Sequence, residues 1–391
     1  MHGGDAIDRA TALVPTLRAA ASQAESDRRM ADETMTALVD AGMFRLVQPR
    51  RFGGDQVDAE TFVRAMVEIA RGDGSAGWVT SLTSAHTKWA GFFPLDGQVE
   101  MYGDNGDLRF PLVVAPQGQA VPIDGGYVVS GRYDYVSGCD VCNWLGVNAI
   151  VPGASPGDPP AGLVSVVIAA DEYSIVDNWH VDAMAGTGSK QAVLDEVFVP
   201  DRRVVRLGAD GEPVCRDVLD GPDEGFFRAP MLPLFACELG AVAVGIGRAF
   251  VELYAERSEV KTSPFPPFGL LRDAESVQTR IGEAVGAVDR AERVLRSVAR
   301  EYDECARNGH DPTDLDTRRM LLAVQGLVGD VCATVEQLGT TAGTSMVKHG
   351  EPLMRAWRDL IAVRTHYLLA RDRTANNVGR LMVGLEPTSR N

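Results

Sequence analysis

Residues 121–140 read Val121-Pro122-Ile123-Asp124-Gly125-Gly126-Tyr127-Val128-Val129-Ser130-Gly131-Arg132-Tyr133-Asp134-Tyr135-Val136-Ser137-Gly138-Cys139-Asp140. Asp124-Gly125-Gly126 is a tight-turn sequence between two runs rich in β-branched and aromatic residues, the pattern of an antiparallel hairpin. The same texture extends from about Pro111 to Val205, where Val, Ile and Tyr alternate with polar residues. Strands are expected at Tyr127–Arg132, Leu145–Ile150, Val164–Ile168 and Ala192–Val199, and the Gly/Pro-rich stretch Pro152–Pro160 is expected to be a surface loop.

Outward from this strand-rich centre the period changes from two to near four. Towards the N-terminus, Ala-rich segments with apolar residues at i, i+3 and i+4 predict helices over Ile7–Ala21, Met30–Ala41 and Ala59–Ala70. Asp32 and Asp58 are expected to cap two of them, and Gly42 to end the second in the left-handed conformation. Towards the C-terminus, long helices are predicted over Leu234–Arg257, Glu275–Asn308, Asp314–Leu338 and Leu353–Asn377. Four such helices pack as an antiparallel bundle with apolar surface left over for oligomerisation. The Pro/Phe-rich loop Ser263–Phe268 lies between the first two. The expected class is α+β, mostly α, with a helical domain at 1–110, a central β-barrel-like domain at 111–225 and a four-helix bundle at 226–391.

Composition narrows the function. The chain has 391 residues, 45% hydrophobic and 24% charged, as ordinary folded domains do. Its 54 acidic and 38 basic side chains give a net charge of −16, which repels nucleic acid and anionic lipid surfaces. The apolar stretch Leu234–Tyr254 contains Glu238, Arg248 and several glycines, and is read as a buried helix and not a membrane span. The N-terminus lacks a basic region followed by an apolar run, so a cytoplasmic protein with reduced cysteines is expected. Cys139 and Cys142 form a single C-x-x-C with no second pair, and no metal site is expected.

Five strings, in order along the chain, carry a family resemblance. They are Arg71-Gly72-Asp73-Gly74-Ser75-Ala76-Gly77-Trp78 at the close of an N-terminal helix, followed by Ser84-Ala85-His86; Tyr135-Val136-Ser137-Gly138-Cys139-Asp140 with Trp144; Gly186-Thr187-Gly188-Ser189; Val197-Phe198-Val199-Pro200; and Trp357-Arg358-Asp359 with His366. Together they resemble the acyl-CoA dehydrogenase superfamily, in its two-component (group D) flavin-dependent monooxygenase branch. The dehydrogenases of the superfamily commonly place a base glutamate after the arginine–aspartate pair. Here no carboxylate lies between Asp359 and Asp372, and the stretch carries His366 instead. Glu238, on an earlier helix, is the alternative position for such a base.

The resemblance implies an acyl-CoA dehydrogenase fold, a homotetramer, and reduced FMN or FAD supplied by a separate flavin reductase. It implies reaction with O2 through a C4a-hydroperoxyflavin to hydroxylate a phenolic or other aromatic substrate. His366 is the candidate proton acceptor for a phenol, and Ser137 the candidate hydroxyl beside the flavin ring. Tyr135, Trp144, Gly186, Thr187, Gly188 and Ser189 are further candidates for holding the cofactor, with Ala185 where many relatives have arginine. His86, Trp78 and Trp89 are candidates for the substrate pocket. Arg358 and Asp359 are expected to be a structural or interface pair, because seven residues of helix separate Asp359 from His366 by about 10.5 Å. The alternatives are an acyl-CoA dehydrogenase, an N- or S-oxygenase such as an amino-sugar N-oxygenase on the same fold, and a catalytically silent flavin-binding protein.

Overall fold

The computed structural model describes residues 3–155, 157–208, 211–214, 225–263, 268–309 and 312–388. His2, His310, Cys215 and the centre of the Ser263–Phe268 loop lie outside these residues.

Five helices come first: α1 (Gly3–Asp27), α2 (Asp32–Asp40), α3 (Ala59–Gly72), α4 (Gly74–Ala90) and α5 (Leu95–Tyr102). Asp58 caps α3 as expected, accepting the Thr61 backbone N–H at 2.8 Å. Gly42 follows α2 at φ 71°, in the left-handed region that ends helices. Asp32 is not a cap. It is the first residue of α2, behind Ala31, and there favours the positive end of the helix dipole.

The string Arg71–Trp78 opens a helix as well as closing one. Asp73 is extended and accepts the Ala76 N–H at 2.9 Å, which ends α3 and starts α4 at one residue. The two helices meet through small residues, since a Cβ on Gly77 would lie 2.5 Å from the Ala70 Cβ.

Seven strands follow: β1 (Leu112–Ile123), β2 (Gly126–Val136), β3 (Trp144–Val151), β4 (Gly162–Ala169), β5 (Ser174–Val176), β6 (Lys190–Pro200) and β7 (Val204–Leu207). They form one sheet in the order β5-β6-β2-β1-β3-β4-β7. The β1–β2 hairpin pairs Ile123 with Gly126 across Asp124-Gly125, and Gly125 takes φ 77° as that turn requires. β1 runs parallel to β3 and the other pairs are antiparallel. The short edge strands β5 and β7 have too few residues to show a period, and the sequence pattern missed them.

The remaining helices are α6 (Gly225–Arg228), α7 (Met231–Val260), α8 (Glu275–Asn308), α9 (Asp314–Gly339), α10 (Pro352–Arg364) and α11 (Arg371–Met382). α7 and α9 are long and apolar enough to cross a bilayer, but 94% of the apolar window of α7 is buried inside the protein. It packs on α3, α4, α8, α9 and α10. Its approach to α3 needs Gly245, where a Cβ would lie 2.4 Å from the Val67 carbonyl oxygen. One apolar core joins these helices to the inner edge of the sheet at Phe110, Leu112, Trp144 and Val167, and a second fills the sheet around Val129, Tyr133 and Leu145.

The expected helix Leu353–Asn377 is broken. α10 stops at Arg364, a 3-10 turn covers Tyr367–Leu369, and α11 starts at Arg371. No Gly or Pro marks the break. It is held from outside: Gln325 of α9, itself buried, donates to the Leu368 carbonyl at 2.7 Å, while Leu368 and Leu369 insert into the core.

Candidate active site

A cavity of about 470 Å³ opens where α4, β1, β2, the 179–189 segment, α7 and the α10–α11 joint converge. Its walls are mainly apolar, from Leu82, Pro111, Leu112, Val113, Met184 and Phe235. Trp78, His86, Tyr135, Ser137, Thr187, Ser189 and His366 all line it. Seven candidates spread over 289 positions of sequence thus face one space.

The hydroxyls are wired together. The Trp78 indole N–H donates to Ser137 Oγ at 3.1 Å, Ser137 Oγ lies 2.8 Å from Ser189 Oγ, and Ser189 Oγ lies 2.7 Å from Thr187 Oγ1. Thr187 in turn donates to the Met184 carbonyl at 2.8 Å. An indole nitrogen only donates and a carbonyl only accepts, so the protons run one way, from Trp78 through Ser137, Ser189 and Thr187 to Met184.

The backbone around this chain is tightly specified. Gly138 N–H donates to the Thr187 carbonyl at 2.8 Å, tying the end of β2 to the 185–188 turn. Tyr135 and Met184 both hold positive φ, 65° and 53°, a conformation that side chains rarely adopt and that concentrates near sites. Asp359 of α10 accepts the Met184 N–H at 2.6 Å, fixing the start of the turn to the helical bundle. Burial pushes the Asp359 carboxyl up to about 7, with the neighbouring Asp73 adding to the rise.

The two histidines differ. His86 is buried, and its Nδ1 receives the Leu112 N–H at 3.0 Å and stands 3.3 Å from the Phe110 carbonyl. These contacts demand opposite tautomers. The shorter one comes from a backbone N–H that can only donate, so Nδ1 carries the lone pair and Nε2 the proton. His366 is half-buried at the joint, edge-on to the Trp78 ring at 5.7 Å between centroids. Its Nδ1 is 3.4 Å from the Leu368 N–H, too long to fix a tautomer. Burial lowers both imidazoles to about 4, so both are neutral at pH 7.

Three expectations need correction. Trp89 is a core aromatic, 2% exposed, with its indole N–H on Ser165 Oγ at 3.0 Å and Phe235 between it and His86. Trp144 stands at the start of β3 beneath the Arg203 guanidinium, 4.8 Å from its ring centre, and does not line the cavity. Gly186 turns onto Ser75 and Ala24, and Gly188 onto Asp140, so only the side chains of Thr187 and Ser189 from that string face the space. Tyr135 does line the mouth, but it is 72% exposed and meets Trp179 edge-on at 6.1 Å.

The C-x-x-C thiols are free and buried, and burial pushes both up to about 12, far from thiolate chemistry. Arg358 and Asp359 do not pair with each other: Arg358 pairs with Glu25 of α1, and Asp359 holds the Met184 N–H. His349 is exposed, as is His180. Sequence reasoning missed Trp179, Met184 and Phe235, which reach the cavity through loop and helix geometry that no motif marks.

Comparison with known proteins follows the same lines. Residues 238–371 match the family described as acyl-CoA dehydrogenase, C-terminal domain. The oxygenase subunit HsaA of a flavin-dependent monooxygenase from Rhodococcus jostii is 32% identical over 92% of this chain and 93% of its own. The oxygenase component of an FADH(2)-dependent resorcinol hydroxylase from Rhizobium sp. is 31% identical over 97% of this chain and 94% of its own. The crystal structure of 3-HSA hydroxylase from Rhodococcus sp. RHA1 superposes with a TM-score of 0.88 at 29% identity, covering 99% of this chain and 98% of that one. A cavity walled by apolar side chains, a chain of hydroxyls and two neutral histidines thus sits on a fold and a sequence that place this chain in the family of oxygenase components of flavin-dependent monooxygenases.

Proposed function

We infer that this enzyme hydroxylates a phenolic ring, and that the cavity holds both the flavin ring and the substrate. The observation that carries this is the presence, in one largely apolar space, of a hydroxyl chain ending at Ser137 and a neutral imidazole at His366. The donor set fits a flavin. The flat apolar tricycle needs walls such as Pro111, Val113 and Met184, and its polar edge needs hydroxyls such as those of Ser137, Thr187 and Ser189. Tyr135 and Trp179 stand at the mouth to cover it.

When bound, reduced FMN or FAD from a separate reductase supplies the two electrons that divide O2 between a product hydroxyl and water. The protein's part is to exclude water, to position the ring and to move one proton. His366 accepts the phenolic proton, for which a neutral imidazole is the required form. His86, with its proton on Nε2, donates a hydrogen bond to the substrate oxygen. Trp78 forms the wall between Ser137 and His366.

The functional unit is a homotetramer in the cytoplasm. Ile361 on α10, Tyr367 at the joint, Met382 on α11 and Val383 and Leu385 just beyond it are exposed, which is the apolar surface such assembly would bury.

The test is to load the protein anaerobically with reduced FAD, add a phenol, admit ¹⁸O2, and measure labelled product and hydrogen peroxide. One labelled oxygen per product is expected. His366→Ala is expected to keep its affinity for flavin and release peroxide in place of product, with yield down at least tenfold. Undiminished yield refutes His366 as the proton acceptor and favours N- or S-oxygenation, which needs no phenol ionised.

A further inference from the structure

Among the described residues, Glu238 is the one acidic side chain on the helical wall of the cavity. It lies on α7, one turn beyond Phe235, and α4 packs against it through Ser81 Oγ on the Glu238 carbonyl at 3.4 Å. The residue is 1% exposed. Its Oε2 is shut off from solvent and has no hydrogen-bond partner among the described residues. No basic side chain among the described residues pairs with it, whereas almost every other buried carboxylate here has a partner: Asp73 caps α4, Asp303 accepts the Ala59 and Glu60 N–H groups, and Asp359 holds Met184. A buried carboxyl with nothing to bond costs stability, and native proteins leave such groups mainly where a ligand completes them.

We propose that the Glu238 carboxyl receives a second hydroxyl of the aromatic substrate, so that the site selects rings carrying two hydroxyl groups over rings carrying one. The proposal rests on the phenol-hydroxylation function above and adds to it a residue for specificity.

The chemistry of the carboxyl decides which substituent fits. Burial holds the Glu238 carboxyl well above the ordinary carboxyl range, which favours its un-ionised form. An un-ionised carboxyl presents one O–H donor and a carbonyl acceptor side by side. A hydroxyl both accepts and donates and satisfies both atoms. An ether or carbonyl satisfies only one, and a substrate carboxylate would bring a charge into an apolar pocket without a cation to meet it. His86, edge-on to Phe235 at 5.6 Å, lines the same cavity as Glu238. The two hydroxyls would thus be held at separate points, one by Glu238 and the other by the histidines. A site that hydrogen-bonds a buried hydroxyl rejects the analogue without it, because its own polar atoms are then left unpaired.

The experiment measures equilibrium binding to the protein holding reduced FAD, without oxygen. The probes are phenol, the three benzenediols (catechol, resorcinol and hydroquinone) and tyramine. Wild type is expected to bind at least one benzenediol ten or more times more tightly than phenol. Glu238→Leu should bring that ratio to within threefold of one, while Glu238→Gln, which keeps a donor and an acceptor in the same shape, should retain it. Flavin affinity reads whether each variant keeps an intact site. A preference that survives Glu238→Leu, is lost equally in Glu238→Gln, or is missing from wild type overturns the proposal. So does tighter binding of tyramine than of any diol, which would mean an ionised carboxylate. Because binding is read without oxygen, failure of the hydroxylation function appears separately, as discrimination between ligands with no labelled product from any of them.

Discussion

Asp359→Asn should make the stability of this protein respond differently to pH. Asn keeps an oxygen for the Met184 N–H, which Asp359 accepts at 2.6 Å, so the tie between α10 and the 185–188 turn survives. What changes is the titration. Burial pushes the Asp359 carboxyl up to about 7, against about 3.9 in an unfolded chain. Between those values the folded protein holds a proton that the unfolded chain has released. Wild type therefore loses stability as pH rises through this window, at about 1.4 kcal/mol per unit for one full proton. From pH 5 to pH 7, with the group half-titrated at the upper end, the loss comes to about 2 kcal/mol. His86, His366 and Asp303 also titrate nearby in pH, but they are common to both proteins and cancel in the difference. Urea unfolding at pH 5, 6 and 7, at fixed salt and protein concentration, should show Asp359→Asn gaining about 2 kcal/mol on wild type across the range. A constant difference, or one that shrinks as pH rises, would refute the assignment of a buried, proton-holding carboxyl.

Three further outcomes are expected. With His366 lowered to about 4, product formed per O2 consumed should stay flat from pH 8 down to about 5 and fall only below that; an acid limb near 6.5 would mean a solvated imidazole. Ser137→Ala removes the acceptor of the Trp78 indole N–H and breaks the hydroxyl chain, which should cost about 1 kcal/mol in urea unfolding and lower the yield of product over peroxide; no change in either would separate Ser137 from the site. Gly245→Ala places a methyl 2.4 Å from the Val67 carbonyl where α7 crosses α3, so unfolding should show a loss of about 1–3 kcal/mol, and a neutral result would contradict so close a crossing.

The large elements were legible because their periods are long and clean. The bounds of α8 match the expected Glu275–Asn308, and the Asp124-Gly125 turn fixed the hairpin. The break after Arg364 was not legible: Thr365–Ala370 contains no helix breaker, and the turn is held by Gln325 from another helix. Within the site, Ser137, Thr187, Ser189, His86 and His366 came from family strings, and the cavity gathers all five. Trp89 and Trp144 did not follow, because an indole in a motif has the same letters whether it faces a ligand or packs in the core. Glu238 stood in the sequence only as a position for a dehydrogenase base. That its carboxyl would line the cavity without a partner depends on α4, 157 residues away.

The one-way order of the hydroxyl chain bears on how protons leave the site. A relay passes a proton only if its far end can release one to water or to a titratable group. Here the last hydroxyl, Thr187, gives its hydrogen to the Met184 amide carbonyl, which is too weak a base to hold a proton and has nowhere to send it. The chain from Trp78 to Met184 is therefore a cul-de-sac, rigid and polar but non-conducting. In the hydroxylation proposed above, a proton taken from the substrate therefore leaves by way of His366, which the break between α10 and α11 sets at the cavity, and not along this chain. Traffic and scaffolding are thus assigned to different side chains of one cavity.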